Sequence, residues 1–337
     1  MPDWASVTTT EPATAATPAT AGPAPTAGAP TATTASSDPS TASRAGGSYP
    51  LLLGTLGLMW GSSYLFIKIG VETLPPLSLV WFRLLVGVVI LGAVAAITRT
   101  QLPRDARTLA KLGVLGALDI AVPFWMIGWA EQRIDSGLAG MIQSTAPFFT
   151  LVLSAWAVHD ERITRGRIAG IALGFLGILV LSVPALTSLQ VAGTGDVLLG
   201  ELAVVGSSIL YGAGNAYARR TLRDATPIVL ALGQVGSSFL LVGAMALVVD
   251  GGLTLPSAPG AILAVTWLGA IGTGFGYLIF FRILTGWGPT RASLVAYLLP
   301  IVSVVLGVIV LRETIDAWFA AGSVLIVLGV WVVNRRG

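Results

Sequence analysis

The chain contains ten apolar stretches of membrane-spanning length, separated by short segments that carry most of its charges. A helix that crosses a bilayer needs about 20 mostly apolar residues, and lipid offers no partners to open backbone groups. Because the alternating pattern of a β-barrel is absent, the sequence predicts an all-α integral membrane protein with ten transmembrane helices. The predicted spans cover residues 50–68, 77–97, 109–130, 137–157, 166–183, 198–218, 227–249, 261–282, 291–310 and 316–333.

Composition supports a membrane protein and sets the N-terminal segment apart. Of 337 residues, 54% are hydrophobic and 10% are charged, which a soluble domain of this size could not bury in one core. Residues 1–48 are instead rich in Ala, Thr and Pro and contain almost no large aliphatic side chains. Such a segment cannot bury enough apolar surface to offset its ordering entropy, so we expect a disordered cytoplasmic tail.

Several enzyme and cofactor classes are excluded by missing motifs. The chain has no cysteine, so thiolate metal sites and cysteine nucleophiles cannot form. It has no HExxH motif and no Walker-type glycine-lysine loop, and its one histidine, His159, lies outside the predicted spans. We therefore predict no enzymatic activity, no cofactor and no metal site. The arginines form no stripe of the kind that binds nucleic acid.

The positive charges predict how the chain is oriented. Fifteen of the 19 lysines and arginines fall on one set of alternate connecting segments, and three fall on the other set. Cytoplasmic loops carry an excess of Lys and Arg in membrane proteins. We therefore expect a multi-pass protein of the cell membrane whose N- and C-termini are both cytoplasmic.

The second half of the chain repeats the first. Glu161 is followed by glycines nine and sixteen residues later, and Glu313 is followed by glycines at the same distances. Pro147 lies 14 residues before Glu161, and Pro300 lies 13 residues before Glu313. This spacing indicates a tandem repeat.

Each predicted repeat holds five spans, over residues 50–183 and 197–333. Because five is odd, the second repeat enters the membrane from the opposite side, which makes the repeat inverted. Inverted repeats give transporters two related conformations, with a ligand site near the midplane where the halves meet. The same arithmetic places Glu161 and Glu313 at opposite faces of the membrane.

Glycines recur at helical spacing in span five, at Gly166, Gly170 and Gly174. Small residues four apart allow two helix backbones to approach closely in lipid. Close helix packing is the favoured interpretation, and a glycine hinge is the alternative.

These features together resemble the ten-helix EamA type of the drug/metabolite transporter superfamily. The resemblance covers about residues 50–333. It rests on "LMWGSSYLFIK" in span one, "PPLSLVWFR" ending at Arg83, the "AP" pair leading to Glu161 and the "LP" pair leading to Glu313. It implies an exporter or permease for small metabolites with a central cavity formed by both repeats. The N-terminal tail and the aspartate in span three depart from the pattern.

Two charged residues lie inside predicted spans. Arg83 lies about seven residues from the outer end of span two, and Asp119 lies near the middle of span three. A charge at membrane depth is costly unless it is paired or wetted. One interpretation is a structural ion pair between the two residues. The other is that both line the cavity, where Arg83 attracts an anionic group and Asp119 takes a proton or a cationic group.

Aromatic and amide side chains near mid-depth are further candidates for substrate binding. Trp60 and Tyr64 share one face of span one, and Tyr211 and Asn215 share one face of span six. Aromatic walls with a few polar points suit an amphipathic metabolite, although simple packing is the alternative for each. The remaining candidates are Trp125, Gln143, Tyr277 and Tyr297.

Four residues near span ends or inside spans are assigned structural or gating roles. Glu161 and Glu313 come just before spans five and ten, where we expect them to cap helix N-termini. Pro147 and Pro300 lie within spans four and nine, where proline frees backbone carbonyls.

The sequence therefore predicts an exporter of amino acids, amines or drug-like compounds that works by alternating access, either coupled to protons or facilitated. The alternatives are a carrier of sugar nucleotides or lipid-linked sugars and a non-transporting membrane scaffold or sensor. The expected partners are a small-molecule substrate and the lipid bilayer, with protons and a second copy of the chain as further candidates.

Overall fold

The computed structural model describes residues 48–158, 164–187 and 194–334. These residues all belong to one compact unit, Arg44–Gly337, and they contain helices and no β-strand. The predicted tail, Glu161 and His159 lie outside the described residues.

A helix or a pair of consecutive helices lies at each predicted span. Spans three and eight each contain a π-helical segment between two α-helices, and span four is divided into two helices. The α-helices are α1 Ser48–Val71, α2 Pro76–Ile97, α3 Ala106–Gly116, α4 Val122–Glu131, α5 Ser136–Gln143, α6 Ala146–Val158, α7 Arg165–Leu181, α8 Val183–Thr187, α9 Thr194–Thr221, α10 Pro227–Val249, α11 Pro259–Thr266, α12 Gly276–Trp287, α13 Pro289–Ala292, α14 Val295–Leu311 and α15 Ala317–Asn334.

Seven helical stretches of the described chain are long and apolar enough to cross a membrane. They are Ser48–Val71, Pro76–Ile97, Ala106–Glu131, Ser136–Trp156, Gly195–Thr221, Pro227–Val249 and Pro259–Trp287. The other three predicted spans correspond to α7 and α14, of 17 residues each, and α15, of 18 residues.

Local sequence signals explain where several helices begin. Side chains of Thr164 and Asp316 accept hydrogen bonds from backbone N–H groups three residues later, at the starts of α7 and α15. These two capping residues are 152 positions apart, the spacing of the repeated glycines. Asp105 caps α3 in the same way, and its hydrogen bond from Thr108 holds the pKa of Asp105 below its usual range.

The two π-helices lie at equivalent places in the two halves. The first covers Ala117–Ala121, and the second covers Trp267–Phe275. Pro123 follows the first and has no backbone N–H, so the regular helical bond at that point cannot form. In the second, the Thr273 hydroxyl donates to the Leu268 carbonyl at 3.0 Å. Single π-helical turns are frequent at functional sites.

Glycines join α7 to α15 in an antiparallel pair. A methyl group added at Gly170 would lie 2.7 Å from the Gly329 carbonyl oxygen, and one added at Gly177 would lie 2.8 Å from the Gly322 carbonyl oxygen. The start of one helix therefore contacts the end of the other. The backbones of α7 and α15 therefore approach each other closely, in agreement with the prediction that these glycines serve helix packing.

Helices α2 and α10 form a second antiparallel pair. Trp81, early in α2, stacks near Phe239 with ring centroids 4.8 Å apart and lies beside Gly243. Gly87, later in α2, lies beside Val235, which is earlier in α10.

Two other pairs run parallel. Gly57 and Gly61 of α1 lie against Leu298 and Val302 of α14, in the same order along both helices.

The second parallel pair joins α9 to α5 and α6, the two helices that lie at predicted span four. The Ser207 hydroxyl donates to the Gln143 side-chain oxygen at 2.6 Å, and Gly212 lies against Phe149. Each of the two parallel pairs therefore joins one half of the chain to the other.

The largest cluster of buried apolar side chains draws on both halves. It includes Leu79 and Ile142 from the first half and Leu268 and Ile326 from the second, each at most 1% exposed. The halves therefore share one core.

Candidate functional site

Arg83 is buried at the contact between the two halves. Its side chain is 6% exposed, and its Nε donates to the Thr273 hydroxyl at 3.0 Å. Its guanidinium carbon lies 3.9 Å from the centroid of the Phe124 ring. The guanidinium is thus held by α2, the second π-helix and α4, with one hydrogen bond and one cation–π contact.

Arg83 and Asp119 do not form the structural ion pair that the sequence allowed. Within the described residues, no carboxylate oxygen lies within 4.0 Å of the Arg83 guanidinium. Asp119 lies in the first π-helix beside Gly214 of α9, where an added methyl group would be 3.1 Å from the Asp119 Cβ. Similar depth in the membrane predicted that the two residues would be neighbours, but each contacts a different set of residues.

Three tyrosines complete a polar group around these charges. Tyr64, Tyr211 and Tyr277 all lie within electrostatic range of Arg83, and Tyr211 and Tyr277 also lie within range of Asp119. We call these five residues the Arg83 centre. Its members come from spans one, two, three, six and eight, so both halves contribute.

Trp60 lies at one side of the Arg83 centre. Its indole nitrogen donates to the Gly272 carbonyl at 2.9 Å, and its ring meets the Tyr277 ring edge-on with centroids 6.1 Å apart. Gly276 allows this approach, because a methyl group there would lie 2.6 Å from the indole nitrogen.

The other aromatic and amide candidates have local packing partners. Gln143 accepts the bond from Ser207, and the Tyr297 hydroxyl donates to a backbone carbonyl of α15 at 3.0 Å. Asn215 is exposed and donates to the carbonyl of Tyr211 on its own helix at 2.8 Å. Trp125 is half-buried against the apolar cluster formed by α2, α4 and α10.

The two prolines have different surroundings. Pro147 follows the break between α5 and α6, where the Thr145 hydroxyl donates to the Ile142 carbonyl at 2.7 Å. Pro300 is buried within α14, and the Ser303 hydroxyl donates to its carbonyl at 3.1 Å.

Glu313 caps a helix, but a different one from the helix expected. Its carboxylate accepts from the backbone N–H and the hydroxyl of Ser136, both at 2.7 Å, and from the Gly137 N–H at 2.9 Å. Proximity in sequence favoured α15, which Asp316 caps instead. Glu313 therefore ties the second half of the chain to the start of α5 in the first half.

Sequence reasoning missed several polar residues of the interior. Thr273 was not among the candidates, because one threonine in an apolar span is an ordinary residue. The apolar neighbour Phe124 likewise carried no signal that could place it over a guanidinium. Lys68 donates to the carbonyls of Glu131 and Ile134, both at 2.7 Å, which joins the end of α1 to the end of α4. Hydropathy places Lys68 and Glu131 at span ends and cannot distinguish them from loop residues.

The described part of the chain contains no group of three or more His, Cys, Asp or Glu residues that could hold a metal ion. The Arg83 centre itself brings together one guanidinium, one carboxylate and three phenols.

Comparisons with known proteins agree with this architecture. The model of the EamA-like transporter family matches residues 48–183 and 198–335, one match for each repeat. An uncharacterized transporter of Archaeoglobus fulgidus is 27% identical over 85% of this chain and 98% of its own length. The uncharacterized inner membrane transporter YedA of Escherichia coli is 30% identical over 81% of this chain and 87% of its own length.

Two further comparisons concern function and fold. A protein of Salmonella typhimurium named "Probable amino-acid metabolite efflux pump" is 27% identical over 82% of this chain and 91% of its own length. A solved structure described as "Crystal structure of protein" is 20% identical, covers 85% of this chain and 97% of its own, and superposes with a TM-score of 0.61. At that identity the likeness concerns the fold alone.

The family match covers both halves of the helical region, so this chain is a multi-pass membrane transporter, not an enzyme, and belongs to the EamA-like transporter family.

Proposed function

We propose that this transporter exports small zwitterionic metabolites of the amino-acid type, and that the Arg83 centre binds them. The observation that carries the proposal is Arg83 itself, a buried guanidinium at the contact between the halves with no carboxylate within 4.0 Å among the described residues. A buried charge without a counter-ion is costly, so such residues within membranes mark substrate or ion pathways.

The separation of Arg83 from Asp119 suits a substrate with two opposite charges. A substrate carboxylate can accept from the guanidinium, and a substrate ammonium group can donate to Asp119. Because the two side chains do not neutralise each other, each can take the opposite charge of a zwitterion. The printed names of relatives such as the Salmonella protein support amino-acid metabolites as the substrate class.

The tyrosines and Trp60 supply the rest of the proposed site. Their rings offer apolar surface and their polar ends offer hydrogen bonds, a combination that suits a small amphipathic molecule. Asp119 is also the group of this centre that can carry a proton, so we propose it as the residue through which proton coupling would act.

We further propose that the chain crosses the membrane ten times as two inverted five-helix repeats, with both termini cytoplasmic. In ten alternating crossings, odd-numbered spans run one way and even-numbered spans run the other. The observed antiparallel pairs join span five to ten and span two to seven, and the parallel pairs join span one to nine and span four to six. All four directions fit this topology, which supports the proposal.

Alternating access follows from that arrangement. The π-helices lie at equivalent places in the two halves. The first contributes Asp119 to the Arg83 centre, and the second contacts that centre through the bond from Arg83 to Thr273. We propose that the two halves exchange conformations around this centre, which opens it to one side of the membrane and then to the other.

The proposal is tested by counterflow in liposomes that contain the purified full chain. We expect uptake of labelled neutral amino acids and little uptake of sugar nucleotides. Arg83→Gln should lower uptake roughly tenfold or more, because a hydrogen bond to a charged group contributes about 1.5–3 kcal/mol.

Arg107→Gln is the matched control. Arg107 is exposed at the start of α3, so the same change should leave uptake unaltered. Normal uptake by a folded Arg83→Gln variant would overturn the assignment of the site. If the folded protein moves sugar nucleotides and no amino acid, the assignment of the substrate class is wrong.

A further inference from the structure

A cavity of about 180 Å³ lies where α7 and α14 end and α5, α9 and α15 begin. None of the five residues of the Arg83 centre lines it. Among the residues that the structure describes, four carboxylates line it and no lysine or arginine does. They are Asp135, Glu201, Glu313 and Asp316.

Two of these carboxylates already have partners. Glu313 accepts three hydrogen bonds at the start of α5, and Asp316 accepts the bond from the Phe319 N–H at 2.6 Å. Their negative charge is balanced by helix N-termini. Both groups still add to the negative potential of the cavity, but their existing bonds make them weaker candidates for a ligand than a carboxylate oxygen without a partner.

The third carboxylate, Glu201, is buried and has one oxygen that accepts no hydrogen bond from the described residues. The residue is 2% exposed, and its Oε2 has no hydrogen-bond partner within residues 48–158, 164–187 and 194–334. The Ser182 hydroxyl bonds to the same side chain and leaves that oxygen open. An unsatisfied buried acceptor destabilises the fold by roughly 1–3 kcal/mol, and more if it is charged. Glu201 lines the cavity, so a ligand bound there is the candidate partner for this buried oxygen.

Asp135 adds a second available carboxylate. It precedes α5, but its side chain makes no capping hydrogen bond, because Glu313 occupies the helix N-terminus. Partial burial, and then the neighbouring Glu313 carboxylate, raise the pKa of Asp135, while the Lys68 ammonium group opposes this effect. A cationic ligand would relieve this repulsion.

The residues that line the cavity favour an organic cation over a metal ion. Metal ions are disfavoured, because the described residues contain no cluster of three or more groups placed to hold one. Leu181, Val304 and Phe319 supply apolar surface that suits an alkyl chain. The volume corresponds to about six water molecules at 30 Å³ each, which limits the ligand to a few heavy atoms.

We propose that this cavity binds a small alkylammonium ion, whose –NH₃⁺ group donates to Oε2 of Glu201 and to Asp135. An ammonium group has three donors and no acceptor, so it matches a site that offers only acceptors. The site is separate from the Arg83 centre, and binding there does not require that transport take place.

The test is calorimetric titration of the purified full chain in detergent at low salt, with n-propylammonium as the probe. We expect binding of propylammonium and none of propionate, which has a similar size and the opposite charge. Glu201→Gln should weaken binding roughly tenfold or more. Glu72→Gln, which alters an exposed glutamate away from the cavity, should not weaken it.

Thermal unfolding without amine separates lost binding from misfolding. Glu201→Gln should unfold at the same or a higher temperature, because it removes an unsatisfied buried carboxylate. Arg83→Gln should bind propylammonium as the unmodified protein does, so failure of the transport proposal leaves this one intact. Absence of propylammonium binding, or equal binding by a folded Glu201→Gln variant, would overturn the site.

Discussion

Glu313 and Ser136, 177 residues apart, are joined by two hydrogen bonds of 2.7 Å each. The carboxylate compensates the unpaired N–H groups at the start of α5, and the bonds link the two halves of the chain. We expect Glu313→Gln to lower the free energy of unfolding by about 1–3 kcal/mol, because one amide –NH₂ would face the Gly137 N–H. Thermal unfolding in detergent measures the loss. Glu72→Gln is the control, and equal loss from both variants would contradict the role of the cap.

Helices α7 and α15 touch at Gly170, Gly177, Gly322 and Gly329, a contact that we call the glycine seam. We expect alanine substitution in this seam to destabilise the protein more than alanine substitution at a glycine in open space. Gly177→Ala places a methyl group 2.8 Å from the Gly322 carbonyl oxygen, so the helices must separate and the protein should unfold at a lower temperature. Gly54→Ala in α1 meets nothing within 4 Å and should keep or raise the unfolding temperature, since alanine favours helix by about 1 kcal/mol. Equal unfolding temperatures for the two variants would show that the seam is not close-packed.

Asp119→Asn tests the second charge of the proposed substrate site. The amide keeps the shape of the side chain but cannot hold a negative charge. If Asp119 binds the substrate ammonium group, the variant should lower amino-acid uptake roughly tenfold or more. Uptake should also lose its dependence on an imposed pH gradient if Asp119 carries the coupling proton. Unaltered uptake by the folded variant in both assays would remove Asp119 from the site.

Thr273→Val removes the hydroxyl that holds Arg83 and keeps the volume of the side chain. The guanidinium would lose its bond from Nε, so we expect a higher KM for uptake with a smaller change in kcat. Thr266→Val is the control, because Thr266 is exposed on α11 and bonds only within its own helix. If both variants have the same KM as the unmodified protein, Thr273 does not position Arg83 for binding.

The positions of the helices could be predicted because bilayer thickness sets the length of each apolar stretch, and charged residues mark where the stretches end. Each predicted span coincides with helical residues to within a few positions. The π-helices could not be predicted in this way, since hydropathy does not register one extra residue in a turn. Pro123 was a local signal for the first, but Thr273 shows its role only beside Arg83 in the fold.

The partners of individual side chains could not be predicted, because the spacing of residues along the sequence does not tell which helices pack against each other. Arg83 and Asp119 lie within helical segments as predicted, but Arg83 is buried against Thr273 and Phe124, whereas Asp119 is half-buried beside Gly214. Glu313 was expected to cap the nearest helix in sequence and caps α5 instead. Glu201 lies near the end of a predicted span, where a charge is ordinary, and only the packed structure reveals its buried oxygen.

The central claim is that two five-helix halves face opposite sides of the membrane and enclose the Arg83 centre. Arg165 and Ala317 are the first residues of α7 and α15, are both exposed, and occupy equivalent repeat positions. The chain has no cysteine, so Arg165→Cys and Ala317→Cys can each be labelled singly with a membrane-impermeant maleimide. The account predicts that intact cells label Ala317→Cys, and that Arg165→Cys reacts only after the membrane is permeabilised. Labelling of both positions from the same side would contradict it.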